Sequence, residues 1–412
     1  MMELLWLLLP VAAASGWWAA KREFAVRQHE FGNGAEYFRG LNYLLNDKPD
    51  EAIEVFTRMA KFDRDTVDTH IALGSLFRRR GEVDRAIRIH QELVARRSLN
   101  ARQCSRATME LGEDYMSAGL FDRAETLFRE LAGQPEFAAV ALDKLVDIYE
   151  QEKDWDQAIT YCDQLQKSTG QSRKLEAANF CCELAEAAQQ RGDPDTARNL
   201  LQQALDRDAG CVRASVMLGE LDMESGDYES AIAAFKAVQQ QDPRLFPEVI
   251  EPLGRCYAAL QNESELMDYL RTVQERDHSG RVTVAVAESL ARQRDDKAAL
   301  EFLEAELREY PTFLGLRHLI ELKLAHIRGP NQADLETLYR ISQHMLHGVA
   351  RYQCDNCGFV GKWLHWQCPG CKTWNSIKPI PDLVFGQSDG ERPKDTSPAY
   401  RPKRCAGANR GD

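Results

Sequence analysis

Four cysteines near the carboxyl end of the chain form two Cys-x-x-Cys pairs separated by ten residues: Cys354, Cys357, Cys368 and Cys371. Each pair presents two thiolates at a turn, and together they suit a tetrahedral tetrathiolate site for zinc or iron. Four thiolates fill such a site and leave no open position for water, which argues against hydrolytic chemistry. The sequence therefore predicts one metal ion, zinc or iron, held by these four cysteines.

Histidines and tryptophans near these cysteines have two interpretations each. His344, His347 and His365 could replace one ligand, although four cysteines already complete the site. Trp363, Trp366 and Trp374 are predicted to pack around the turns, because a module of this size needs both a core and a metal to fold. The Cys-x-x-Cys-Gly-Phe and Cys-Pro-x-Cys forms resemble a rubredoxin or zinc-ribbon module over residues 350–380.

No other part of the chain carries a catalytic pattern. The sequence contains no G-x-x-x-x-G-K-[ST] loop, no G-x-G-x-x-G after a strand, no H-E-x-x-H and no G-x-S-x-G. The formal net charge of −12 disfavours nonspecific binding to nucleic acid. We therefore expect a protein that is not an enzyme.

The rest of the chain repeats a single alanine with spacings of 34, 38, 34, 39 and 34 residues. An acidic residue stands two positions before each alanine, which places it in the first turn of a helix, where it is expected to cap free N–H groups and to meet the positive end of the helix dipole. A bulky residue usually stands four positions after it. The alanines are Ala52, Ala86, Ala124, Ala158, Ala197, Ala231 and, after a longer gap, Ala298.

Glycines mark a second register of this repeat. Gly40, Gly74, Gly112 and Gly219 each precede a repeat alanine by twelve residues. Small residues at both points allow two helices of one hairpin to approach closely. The period and the paired helices resemble the tetratricopeptide (TPR) repeat. The expected fold class is thus all-α, a solenoid of eight or nine helix pairs over residues 35–346, followed by the four-cysteine module.

The amino terminus predicts a membrane anchor. Residues 4–20 carry no charge, and as a helix they would span about 26 Å, enough for a thin bilayer. Lys21, Arg22 and Arg27 follow the apolar run, which places the chain after it on the cytoplasmic side. We expect a retained anchor at 1–20 and a juxtamembrane linker at 21–34. A cleaved signal peptide, with small residues at 12–14, is the alternative.

The remaining cysteines indicate the redox compartment, and the composition of residues 381–412 differs from that of the repeats. Six further cysteines lie within the repeats, a pattern that suits a reducing compartment. Cys181 and Cys182 are expected to be core and surface neighbours on one helix. Residues 381–412 are rich in proline, glycine and polar residues and are predicted to be disordered.

The order of anchor, TPR array and four-cysteine module resembles the lipopolysaccharide assembly protein B family. Matching residues lie at 1–16, 73–74, 80–91, 114–116, 122–125 and 354–380. The resemblance implies an inner-membrane adapter, facing the cytoplasm, that regulates lipopolysaccharide synthesis. It would present the lipid A pathway deacetylase LpxC to the membrane protease FtsH, with other inner-membrane regulators as further partners. The alternatives are a rubredoxin-like electron-transfer protein and a zinc ribbon that binds nucleic acid.

Overall fold

A computed structural model describes residues 38–40, 42–43, 46, 48–62, 67–326, 331–346 and 350–380. The expected anchor at 1–20, the linker at 21–34 and the tail at 381–412 lie outside the described residues. Among the helices of the described part, none is both long and apolar enough to cross a membrane. The chain divides into two compact units, Met1–Ser172 and Arg173–Asp412.

The first unit is helical throughout its described part. Its helices are α1 (Pro49–Phe62), α2 (Val67–Arg79), α3 (Val83–Val94), α4 (Ala101–Ser117), α5 (Phe121–Ala132), α6 (Ala138–Glu152) and α7 (Trp155–Thr169). Each helix packs against the next, and α2 also contacts α4. Contacts of this kind, between neighbours and next neighbours, are typical of a helical repeat.

The second unit continues the helix pairs and ends in a small sheet. Its helices are α8 (Lys174–Gln190), α9 (Pro194–Arg207), α10 (Val212–Ser225), α11 (Tyr228–Gln241), α12 (Ile250–Ala259), α13 (Glu263–Gln274), α14 (Gly280–Gln293), α15 (Asp296–Glu309), α16 (Phe313–His326) and α17 (Asn331–Leu346). A 3₁₀ helix, Pro243–Glu248, precedes α12. The sheet consists of β1 (Tyr352–Cys354), β2 (Val360–Gly361) and β3 (Ile377–Pro379), in the order β2-β1-β3 and antiparallel throughout.

The repeat alanines have the role that the sequence predicts for them. The first six, from Ala52 to Ala231, are completely buried. The glycines allow close approach: a Cβ added to Gly112 would lie 2.6 Å from the Phe128 ring, and one added to Gly219 would lie 2.5 Å from the Phe235 ring. Both rings are fully buried. The prediction that small residues allow each hairpin to close is confirmed.

The register predicted for the last alanine is wrong by one residue. Ala299 is completely buried, whereas Ala298 is only half-buried. The side chain of Asp295 caps α15 by accepting a hydrogen bond from the Ala298 amide at 2.7 Å. The buried alanine stands four positions after the capping residue, which here is residue 299.

The capping acids were also placed two residues too late. Asp154, Asp193 and Asp227 accept hydrogen bonds from backbone amides three residues ahead, and so cap α7, α9 and α11. The acidic residues two positions before the alanines do lie in the first turn, as predicted, at the positive end of the helix dipole. Only the capping hydrogen bond was assigned to the wrong acid.

Cys181 and Cys182 are both buried, contrary to the expected core and surface pair. Their helix, α8, contacts both α9 and α10, and the Trp374 ring packs edge-on against Phe180 of the same helix. Because neighbours cover α8 on more than one side, two consecutive residues can both be enclosed.

Candidate metal centre

The first Cys-x-x-Cys turn begins where β1 ends. The Cys354 amide donates to the carbonyl of Phe359 at 2.8 Å, and the Gly358 amide donates back to the carbonyl of Cys354 at 3.0 Å. Gly358 has a φ of 76°, in the left-handed region that glycine adopts without strain. These bonds fold residues 354–358 tightly and direct the Cys354 and Cys357 side chains toward one point.

The second turn repeats this pattern in a different sequence. The Cys368 amide donates to the carbonyl of Thr373 at 3.0 Å, and the Lys372 amide donates to the carbonyl of Cys368 at 2.9 Å. Lys372 takes the place of Gly358 and has a φ of 60°. The two halves of the site are therefore built on one backbone design.

The four sulfur atoms come together. All of them lie within 4.8 Å of one another, with Cys354 Sγ 3.7 Å from Cys371 Sγ and Cys357 Sγ 3.6 Å from Cys368 Sγ. A tetrahedron with metal–sulfur bonds of about 2.3 Å has sulfur–sulfur edges of about 3.8 Å. The geometry and chemistry of these donors thus fit one zinc or iron ion.

Burial and hydrogen bonding shift the pKa values of two of the thiols in opposite directions. Burial raises the pKa of Cys368 to about 12. Burial also opposes ionisation of Cys371, but hydrogen bonds from the side chain and backbone of Thr373 outweigh it and lower the pKa of this thiol to about 6. Ser376 Oγ lies 3.2 Å from Cys354 Sγ. The Ser376 hydroxyl donates to the carbonyl of Thr373 at 2.9 Å, which leaves the Thr373 hydroxyl, 3.3 Å from Cys371 Sγ, as the one placed to support a thiolate bound to a cation.

Histidine does not join the cluster within the part of the chain that the structure describes, where the group able to hold a metal consists of the four cysteines alone. His365 is exposed, and so is His344 on α17. His347 lies outside the described residues. The alternative that a histidine replaces a cysteine therefore has no support from the geometry.

The module packs on the helices of the second unit through Trp374. This indole is 6% exposed and meets the Phe180 ring edge-on, with centroids 6.0 Å apart. The guanidinium of Arg213 lies 5.9 Å from the Trp374 ring centroid. Arg213 is itself buried and forms ion pairs with Glu183 and Glu186 at 2.7 and 2.8 Å. The Arg213 guanidinium, which lies on α10 and pairs with two carboxylates on α8, thus also contacts the module.

Polar contacts secure the module at the 3₁₀ helix and α14. Lys378 of β3 pairs with Asp242 at 2.7 Å. The Tyr352 hydroxyl donates to Glu248 at 2.8 Å, and Glu248 also pairs with Arg281 at 2.5 Å. The Lys378 ammonium overcomes the effect of burial and lowers the pKa of the Asp242 carboxyl.

The sequence identified only part of this contact. Trp374 is buried and Trp366 is packed, which agrees with the prediction that they are packing residues, but their partners are the helices of the second unit, which the sequence did not indicate. The same prediction is wrong for Trp363, which is 76% exposed. Arg213, Asp242 and Glu248 were not identified, because charged residues on helices within a repeat look like solvated positions until their partner module is known.

Comparisons with known proteins agree with this architecture. A tetratricopeptide repeat family matches residues 71–139, 109–173 and 182–245, and a rubredoxin metal-binding domain matches residues 352–379. Lipopolysaccharide assembly protein B of Escherichia coli (strain K12) is 36% identical over 386 residues, which cover 93% of this chain and 99% of that protein. This chain belongs to the lipopolysaccharide assembly protein B family.

A second family member is nearly as similar. The Haemophilus influenzae protein of the same name is 33% identical over 394 residues, covering 92% of this chain and 98% of the relative. A solved Naa15/Naa10 complex bound to HypK-THB covers 74% of this chain at 15% identity with a TM-score of 0.40. This chain thus aligns with the two relatives of the lipopolysaccharide assembly protein B family over almost their whole length.

Proposed function

We propose that this chain is an adapter in lipopolysaccharide assembly. It would be held at the cytoplasmic face of the inner membrane by residues 1–20, and it would present the deacetylase LpxC to the membrane protease FtsH. The observation that carries the proposal is the 36% identity, over 93% of this chain, to a relative named lipopolysaccharide assembly protein B.

The helix pairs support a role in protein binding. TPR-type repeats expose extended surfaces formed by successive helices, and these surfaces suit protein partners. An anchor would keep such a surface near a protease in the same membrane and so raise their effective concentration. Binding and tethering, without chemistry on the substrate, would then account for the activity.

The metal centre has a structural role in this proposal. Cys354, Cys357, Cys368 and Cys371 would hold the ion, which supplies folding free energy to the module. The module in turn contacts α8, the 3₁₀ helix and α14 through Trp374, Lys378 and Tyr352. The resulting hypothesis is that metal binding sets the surface that the second unit offers to a partner.

The test measures the lifetime of LpxC in a Gram-negative host that lacks its own family member. The full chain should shorten the half-life of LpxC after protein synthesis is stopped, and only while FtsH is active. A chain without residues 1–20, matched in expression and helical content, should not restore this turnover. A half-life that the full chain leaves unchanged, or shortens without FtsH, would refute the proposal.

A further inference from the structure

The metal module has a surface that its contacts with the helices of the second unit leave uncovered. We define the module's outer face as Arg351, Val360, Lys362, Trp363 and Ile380. All five residues are exposed, with Val360 at 53%, Trp363 at 76% and Ile380 at 37%. Large apolar side chains with such exposure on one small module indicate an interaction surface.

Backbone pairing shows that these residues are neighbours. The Arg351 amide donates to the carbonyl of Gly361 at 2.9 Å, and the Ile380 amide donates to the carbonyl of Arg351 at 2.8 Å. Tyr352 pairs in register with Gly361 and Pro379, so one residue further along Arg351 lies between Lys362 and Ile380 at the end of the sheet. Val360, on β2, lies two residues before Lys362, and Trp363 follows Lys362 in the chain.

The outer face is distinct from the face that packs inward. Tyr352, Cys354 and Ile377 are buried and point to the other side of the sheet. Val360 pairs in register with Gln353, which is exposed between two buried residues of β1. The alternation of side chains along β1 thus places Gln353 and Val360 on the side opposite to the metal-binding cysteine Cys354. Lys378 is also in register with Gln353 but pairs with Asp242, so the uncovered part of this side lies at β2 and at the end of the sheet.

The charge of the outer face is opposite to that of the whole chain. Residues 350–380 contain four basic residues and one acidic residue, whereas the chain has a net charge of −12. The single acid, Asp355, pairs with Arg244, and Lys378 pairs with Asp242. Within the described residues, Arg351 and Lys362 have no ion-pair partner, so their charge is available to a negatively charged surface.

We propose that the outer face docks on the headgroup layer of a bilayer that contains anionic phospholipids. Indole rings favour the interface between headgroups and acyl chains, and basic residues beside them are attracted to anionic lipid. The apolar side chains protrude from the module, so a fluid headgroup layer can accept them without a preformed pocket. This inference does not depend on LpxC or FtsH as partners.

The test uses the full chain in nanodiscs, with a photoreactive residue on the outer face. Val360→benzoylphenylalanine should form phospholipid adducts in discs of phosphatidylcholine with phosphatidylglycerol, and few in phosphatidylcholine alone. Leu260→benzoylphenylalanine is the matched control, since Leu260 is 40% exposed but is followed by Gln261, Asn262 and Glu263. It should form few lipid adducts in either disc.

Charge variants test the electrostatic part. Lys362→Gln should reduce the lipid adducts at position 360 about fivefold, since one basic residue near an anionic surface contributes about that factor. Lys372→Gln removes the same charge from the second Cys-x-x-Cys turn and should reduce them less than twofold. Equal effects of the two variants would refute docking through the outer face.

Adducts of position 360 with molecules other than lipid would count against the proposal. Capture of residues 381–412, of a second copy or of another protein at position 360, in place of lipid, would overturn the proposal. So would adducts that do not depend on anionic lipid. If the chain fails to enter discs, the anchor hypothesis fails on its own, and the same variants are then measured with preformed vesicles of both compositions.

Discussion

Gly219 and Gly254 occupy equivalent positions in two repeats, yet alanine should stabilise the protein only at position 254. A Cβ at Gly219 would lie 2.5–2.7 Å from atoms of the Phe235 ring, which is fully buried. A Cβ at Gly254 would have Leu266 Cδ2 as its nearest neighbour, at 3.9 Å, which is an ordinary contact. The residue sixteen positions after Gly254 is Leu270, not an aromatic.

The expected magnitudes follow from two opposing effects. In a helix interior, alanine is favoured over glycine by about 1 kcal/mol. Overpacking a tight core costs about 1–3 kcal/mol. Gly254→Ala should therefore raise the free energy of unfolding by about 1 kcal/mol. Gly219→Ala should leave it unchanged or lower it by up to about 2 kcal/mol.

The assay is urea unfolding followed by circular dichroism, with the two variants compared in the full chain. A second variant, Gly219→Ala with Phe235→Leu, recreates the natural combination of Ala185 and Leu201, which are also sixteen residues apart. It should recover part of the loss. If Gly219→Ala is as stable as Gly254→Ala, close approach of the ring does not limit residue size at this position, and the packing argument is wrong.

Three further predictions concern the metal module and its attachment. Replacing Cys354 and Cys357 by serine should release the metal and unfold residues 350–380, while most of the helical circular dichroism signal persists. A variant that still holds one metal per chain would show that the ligands are assigned wrongly. Trp374→Ala should detach the module at a cost of about 3–5 kcal/mol, seen as faster hydrogen exchange in residues 352–379 and in α8, with unchanged exchange in the first unit as the control. The pKa of the Asp242 carboxyl in the folded protein lies below its ordinary value of 3.8, so its pairing with Lys378 stabilises the protein above that pH and is lost as the pH falls through the lower folded value. The difference in free energy of unfolding between wild type and Asp242→Asn should therefore shrink below about pH 3.8. A difference that does not depend on pH would contradict the ion pair.

Periodicity was sufficient to predict the helix pairs, because each repeat must bury the same face against its neighbours. Periodicity could not decide which alanine of the last repeat is buried, because residues 298 and 299 are both alanine and only the cap at Asp295 distinguishes them. Spacing was likewise sufficient to predict which cysteines meet. Two Cys-x-x-Cys turns have few ways to place four sulfur atoms other than around one ion.

The attachment of the module was not predictable, because it depends on contacts between residues far apart in the chain. Trp363 and Trp374 both lie within five residues of a cysteine of the site, but one is exposed and the other is buried against Phe180 and Arg213. Which tryptophan packs inward is decided by the position of α8 and α10, and no local pattern encodes that position.

The contacts of the module also change the way in which the last repeats can unfold. The helices of a linear repeat array are weakest at the ends, where each has a neighbour on one side only. Here the chain returns after α17: Tyr352 bonds to Glu248 across 104 residues and Asp355 to Arg244 across 111. The segment from α12 to α17 is thus a loop closed at both ends, and it gains less entropy by opening than a free end would. The carboxyl-terminal helices should therefore open together with the module, as one cooperative block, and not fray one after another.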